Sequence, residues 1–250
     1  MNCKLCLKES KLCKSHIIPE YFYKHSYDSK HRYLILSSEG LSNKKYYDQI
    51  GYRELLFCLE CESKLNNWEK YISDFFEKDI YGEIEKKLLN PSLKVVFFEG
   101  LKYDMLKFFQ LSILWRASIS KLDFFERIKL DPIIEENLRL ILLSEKLCEP
   151  MYLPCMMTFC VKDNILRKEF INQPLAETTK TNEKLIYFVF GGFVWTFFLN
   201  SSDIPIQFRP TFLDKLGRIT ILKKDIQEIK FLMNHTNQLD FDDPRHKNIG

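Results

Sequence analysis

Four of the eight cysteines in this 250-residue chain fall in two Cys-x-x-Cys pairs, Cys3/Cys6 and Cys58/Cys61, and they constrain the fold more than any other feature. A two-residue gap lets both sulfurs of a tight turn face one ion. Two such pairs supply the four thiolates that Zn²⁺ takes in a closed tetrahedral structural site. A segment of about 70 residues with little core of its own needs a staple of this kind. The alternative is two unrelated turns with buried or redox-active thiols. Cys13 reads as a small buried residue, and Cys148, Cys155 and Cys160 lack pair spacing and read as core thiols.

Around the pairs, Ser15-His16-Ile17-Ile18-Pro19 is a short apolar piece closed by proline, and Arg32 to Leu36 is β-branched and aromatic enough for a strand. Lys44 to Gly51 reads as a solvated loop. Arg53 to Phe57 runs into Cys58, and helical spacing begins after Cys61. The order is knuckle, strand, loop, strand, knuckle, helix, the layout of a treble-clef ββα finger over residues 1–70.

The rest divides by pattern. Residues 71–147 form a helical middle segment, with Leu65, Trp68, Ile72, Phe75 and Phe76 on one apolar face, a break at Asn90-Pro91, a second helix over Glu99–Ser120 and a third opening at Asp131-Pro132. Residues 148–238 form a mixed strand and helix part with strands in Tyr152–Val161, Leu185–Phe190, Phe193–Leu199 and Ile219–Leu222, a Gly191-Gly192 hairpin, and a helix from Asp225 to Met233. Residues 239–250 are a polar tail. The fold class is α+β.

With 46% hydrophobic and 28% charged residues, fibrous, collagen-like and wholly disordered chains are excluded. The net charge of +3 does not argue for nucleic acid by itself, but Lys8, Lys11, Lys14, Lys24, Lys30, Arg32, Lys44 and Lys45 crowd the finger, where phosphates would dock. Tyr21-Phe22-Tyr23 and Tyr46-Tyr47 are either base-stacking residues or finger core. His25 and His31 read as solvated, and His235 and His246 have no role. Met1 to Ser15 is polar, and Leu185–Leu199 is too short to span a bilayer. The expectation is a cytoplasmic chain without a membrane partner.

A Cys-x-x-Cys pair, then His16 with Ile17-Ile18-Pro19, then Leu55-Leu56-Phe57-Cys58-x-x-Cys61 before a helix, resembles the HNH endonuclease family of zinc-stapled ββα-metal nucleases. The likeness covers residues 1–70 and implies that His16 is the general base taking a proton from the water that attacks a phosphodiester. Three positions depart from the family pattern. Ser15 stands where Asp or His commonly binds the metal, Arg53 where Asn is common, and Glu62 where His follows the second pair.

Glu62 is nonetheless a hard oxygen ligand for Mg²⁺ or Mn²⁺, with Asn66 and then Glu69 about one helical turn on each time. Arg53 is a candidate phosphate clamp. The segment Leu111 to Ser118 is similar to segments that accompany this Ser-His-Ile-Ile-Pro finger in bacterial HNH-like proteins, which resemble components of anti-phage defence loci. Within it Trp115 is core, and Arg116 can reach a phosphate or a buried carboxylate. The expected partners are nucleic acid, DNA ahead of RNA, and a protein such as a defence-system ATPase. The competing reading is a catalytically degenerate zinc finger that binds nucleic acid or a protein. Oligomeric state is left open.

Overall fold

The computed structural model describes residues 1–27, 30, 33–35, 46–48, 51–200 and 204–232. The chain is a mixed α+β fold. Its N-terminal part pairs strand β1 (Leu12–His16) antiparallel with β4 (Arg53–Cys58), so that Ser15 lies opposite Glu54 and His16 opposite Arg53. Between them lie the short helix α1 (Glu20–Tyr23) and a second hairpin of β2 (Tyr33–Ile35) and β3 (Tyr46–Asp48), the latter inside the segment expected to be loop.

Helix α2 (Leu59–Asp74) starts directly after β4, with Glu60 and Glu62 in a first turn where carboxylates suit the helix dipole. Its buried residues Cys61, Leu65, Trp68 and Ile72 recur at helical spacing. The helix widens into a π-helical stretch, Phe75–Ile80, before α3 (Tyr81–Leu88).

The middle segment is not wholly helical. Val95–Phe98 forms strand β5, between α3 and α4 (Tyr103–Ile119), and joins the large C-terminal sheet. A run of four residues rich in β-branched and aromatic types is too short to show a period, which is why it passes for a helix approach. Helix α5 (Pro132–Ser144) begins as the sequence indicates, with Asp131 capping the Ile133 N–H at 2.9 Å and proline in the first turn.

The large sheet has seven strands. Its path runs β5, β11 (Ile219–Asp225), β6 (Cys155–Lys162), β10 (Phe193–Phe198), β9 (Lys184–Phe190), β8 (Asn172–Thr178), with β7 (Ile165–Leu166) paired to β6 off that path. Gly191 and Gly192 turn the β9–β10 hairpin with φ of +63° and +81°, the left-handed backbone a two-residue turn requires. The helix expected over Asp225–Met233 starts late, with helical backbone only from Lys230 to Leu232, and Met233 lies outside the described residues. β11 continues to Asp225, whose carboxylate caps the Gln227 N–H, and a 3₁₀ turn follows over Ile226–Glu228.

One continuous core joins all three regions. α4 is buried nearly all round, as befits a central helix. Phe57 from β4 stacks on its Trp115 at 5.7 Å, and Phe109 meets Trp195 of β10 at 5.7 Å. Its buried Lys107 ammonium donates to the carbonyls of Pro150, Tyr152 and Leu153, and burial brings that lysine down to about 8. Cys155 and Cys160 are core thiols as expected, and Cys148 is partly buried. Among the described residues no helix is long and apolar enough to cross a membrane.

Candidate functional site

The four paired cysteines converge. The sulfurs of Cys3, Cys6, Cys58 and Cys61 all lie within 4.8 Å of one another, with Cys6 and Cys58 Sγ 3.8 Å apart, and the group could hold a zinc ion. The local chain explains the convergence. The Leu7 N–H bonds the Cys3 carbonyl and the Cys3 N–H bonds the Lys8 carbonyl, closing the first turn, while the Lys4 N–H reaches the Leu56 carbonyl and docks that turn beside β4. From outside, Arg139 of α5 donates to the Leu5 carbonyl at 2.7 Å.

Burial acts to raise the Cys3 thiol, yet the backbone N–H groups of Cys6, Cys58 and Leu5 outweigh it and bring the thiol down to about 7. Burial and the crowding of neighbouring thiols push Cys61 up. Burial raises the Cys6 thiol as well, and a cation at the centre of the four sulfurs would stabilise their thiolates. Cys13 stands outside the group.

His16 closes β1 opposite Arg53, at the other end of the hairpin from Cys58, which pairs with Leu12. Its Nε2 lies 2.7 Å from Glu20 Oε2, without the alignment of a hydrogen bond. Burial holds its pKa below the ordinary histidine value, Arg53 and Arg116 push the same way, and Glu20 opposes them. The imidazole is therefore neutral near pH 7, the form a general base requires.

Glu62 is half-buried and accepts a hydrogen bond from Ser15 Oγ at 2.5 Å. Ser15 at the end of β1 and Glu62 in the first turn of α2 thus touch each other. Asn66 is exposed and does not share this contact, and Arg53 is exposed opposite His16. Among the described residues the four thiols are the one group of three or more His, Cys, Asp or Glu close enough to share an ion.

Glu69 has a different place from the one its spacing suggests. Its Oε1 meets Arg116 Nη1 at 2.6 Å, deep in the protein, with Arg116 1% exposed. Burial raises Glu69, and Arg116 counters this. The same Nη1 donates to the His16 carbonyl at 2.7 Å. Glu54, opposite Ser15, accepts from Ser120 Oγ at 2.9 Å and from the Lys121 N–H at 3.0 Å, fastening the end of α4 to the hairpin. The role of Arg116 in holding the histidine strand is invisible in the sequence, because its partners are remote along the chain.

Among the other candidates, Phe22 and Tyr23 are buried and Tyr21 is half-buried, so this run is core and not a stacking platform. His25, expected to be solvated, instead packs edge-on against Tyr21 and Tyr81 with its Nε2 buried. Lys8, Lys11, Lys14, Lys24 and Lys30 are exposed. Arg32, Lys44, Lys45, His31, His235, His246, the Tyr46 and Tyr47 side chains and the 239–250 tail lie outside the described residues. No protein-family model, curated protein or solved structure matches this chain.

Proposed function

We propose that this chain is a metal-dependent endonuclease of the HNH type, with residues 1–70 as a treble-clef finger. The supporting observation is a neutral, half-buried His16 at the end of a strand held between a four-thiol knuckle and a helix bearing Glu62. His16 accepts the proton of the attacking water as a P–O bond forms and the scissile P–O bond breaks. Glu20 beside Nε2 steadies the imidazolium that results, and exposed Arg53, the cross-strand neighbour, holds a phosphate oxygen. Arg116 and Glu69 fix the strand end that carries the base.

Mg²⁺ is usually held by one or two carboxylates, with water and substrate phosphates completing the shell, and Glu62 with Ser15 fits that sparse protein share. Such an ion, when bound, supplies positive charge for the phosphate and leaving oxygen. The zinc knuckle has no part in the chemistry and only sets the hairpin against the helix. The lysines exposed around it favour a polyanionic substrate, and duplex DNA is the first candidate.

One observation favours the catalytically degenerate alternative. Glu62 is already engaged by Ser15, and no third ligand completes a site among the described residues. Plasmid DNA and RNA incubated with the full chain under Mg²⁺, Mn²⁺ or EDTA separate the two. Cleavage that needs the divalent ion and disappears in His16→Ala, with zinc content unchanged, supports the nuclease. Retarded migration of nucleic acid without cleavage supports the binding module.

A further inference from the structure

The large sheet has two faces, and the main core takes one of them. Met157, Phe159, Phe193 and Trp195 belong to that core, and strand alternation sends Met156, Thr158, Val194 and Thr196 to the opposite face. There Ile226, Ile229 and Leu232 pack on Cys160, Val189 and Val194 as a second, smaller cluster. Beside it the face opens into a cavity of about 400 Å³, a size within the roughly 300–1,000 Å³ range of small-molecule sites.

The floor of this cavity is apolar except at two points. Thr158 and Thr196 line it and are 4% and 3% exposed, and among the described residues neither hydroxyl has a hydrogen-bond partner. Thr158 lies opposite Val194 and Thr196 opposite Met156, so the two threonines are diagonal neighbours on adjacent strands, about 7 Å apart. A purely aliphatic occupant leaves both hydroxyls unmet, at a cost. A flat heterocycle with donors and acceptors along one edge satisfies both, and half-buried Tyr187, Phe198 and Phe231 on the cavity wall supply aromatic surface for its faces.

The rim carries both signs of charge. Lys224 and Lys230 are exposed and make no ion pair among the described residues, exposed Glu228 lies between them in the chain, and Glu177 comes from β8 beside the Tyr187 hydroxyl. Two lysines suit a phosphate, and carboxylates accept from sugar hydroxyls. A simple aliphatic carboxylate makes no use of the glutamates and is repelled by them. We propose that this cavity binds a nucleoside monophosphate, with the base at Thr158 and Thr196, the sugar hydroxyls toward the glutamates and the phosphate at Lys224 and Lys230.

Isothermal titration of the full chain with AMP, GMP, CMP and UMP at up to about 1 mM tests this, with the four nucleosides, inorganic phosphate and dodecanoate as comparisons. At least one monophosphate is expected to bind once per chain, about tenfold or more tighter than its nucleoside and than phosphate. Thr196→Val keeps the shape of the side chain and weakens binding about tenfold, and Lys224→Met with Lys230→Met brings the monophosphate down to the affinity of its nucleoside. His16→Ala binds as the parent does, which separates this cavity from the proposed nuclease site. No binding by any of the four, binding that is lost in His16→Ala, binding indifferent to Thr196→Val, or dodecanoate bound more tightly than every monophosphate overturns the proposal.

Discussion

Arg116 donates from Nη1 to the carbonyl oxygen of His16 at 2.7 Å, joining residues one hundred positions apart. The same nitrogen meets Glu69 Oε1 at 2.6 Å, so a buried ion pair between two helices is also the anchor of the strand that ends in the histidine. Removing one partner of a buried pair leaves the other charge without compensation, a loss of about 3–5 kcal/mol. Arg116→Ala is therefore expected to lower the urea midpoint sharply. Arg116→Met together with Glu69→Leu, which removes both charges, recovers a large part of that loss. If the double variant is no more stable than Arg116→Ala, the charge pair is not what Arg116 supplies.

The four-thiol group leads to a stoichiometry. The purified chain is expected to carry one zinc per polypeptide, released in a colorimetric assay by a thiol-blocking reagent and absent in Cys58→Ser. Cys160→Ala, in the sheet, retains full zinc. Leu56 and Phe57 adjoin Cys58 and lie in the same core as Trp115, so chelation is expected to alter tryptophan fluorescence as well as the finger. Zinc loss without any change in that signal would show that the finger and the remainder unfold separately.

Ser15 and Glu62 offer a more direct probe of the proposed divalent site. Replacing the serine by aspartate sets two carboxylates where one hydroxyl now donates to one carboxylate. Without an ion the two charges repel. With Mg²⁺ or Mn²⁺ they form the paired oxygen set such ions prefer. Ser15→Asp is expected to melt below the parent in EDTA and to regain most of the difference when Mn²⁺ is added, while the parent responds much less. Equal responses in the two proteins would place the divalent site elsewhere.

These tests rest on parts of the molecule that differed in how readily the sequence revealed them. Cys58 and Cys61 stand at a strand-to-helix junction with two residues between them, and their capacity to share an ion with Cys3 and Cys6 is legible from spacing alone. The Gly191-Gly192 turn is equally local, since only glycine accepts both left-handed positions freely. Strand β5 was not legible, because four apolar residues fit a buried helix as well as an edge strand until β11 is seen beside them. Glu69 and His25 failed for a related reason. Each lies in a polar stretch that looks solvated, and only packing against α4 or against Tyr81 puts it inside.

His25 makes that burial measurable through pH. Burial, reinforced by Lys168 and Lys24 and opposed by Glu77 and Glu85, brings its pKa down to about 4. In the unfolded chain a histidine titrates near 6.5. Above pH ~6.5 both states are neutral at this position, and its contribution to stability is fully present. As pH falls through the interval toward about 4, the unfolded state takes up a proton that the native state refuses, so stability drops. His25 is only partly shielded from water, which screens the effect, so the loss from this one group reaches about 1–2 kcal/mol and then levels off. His25→Phe keeps an aromatic ring between Tyr21 and Tyr81 but cannot titrate. It is expected to lose less stability than the parent between neutral pH and about pH 4.5, measured by urea unfolding at each pH. His16 also has a depressed pKa and shifts stability in the same direction, but it is present in both proteins and cancels in the comparison. Parallel pH profiles for the two proteins would mean that His25 is protonated within the fold, and that the Tyr21–Tyr81 contact opens to solvent.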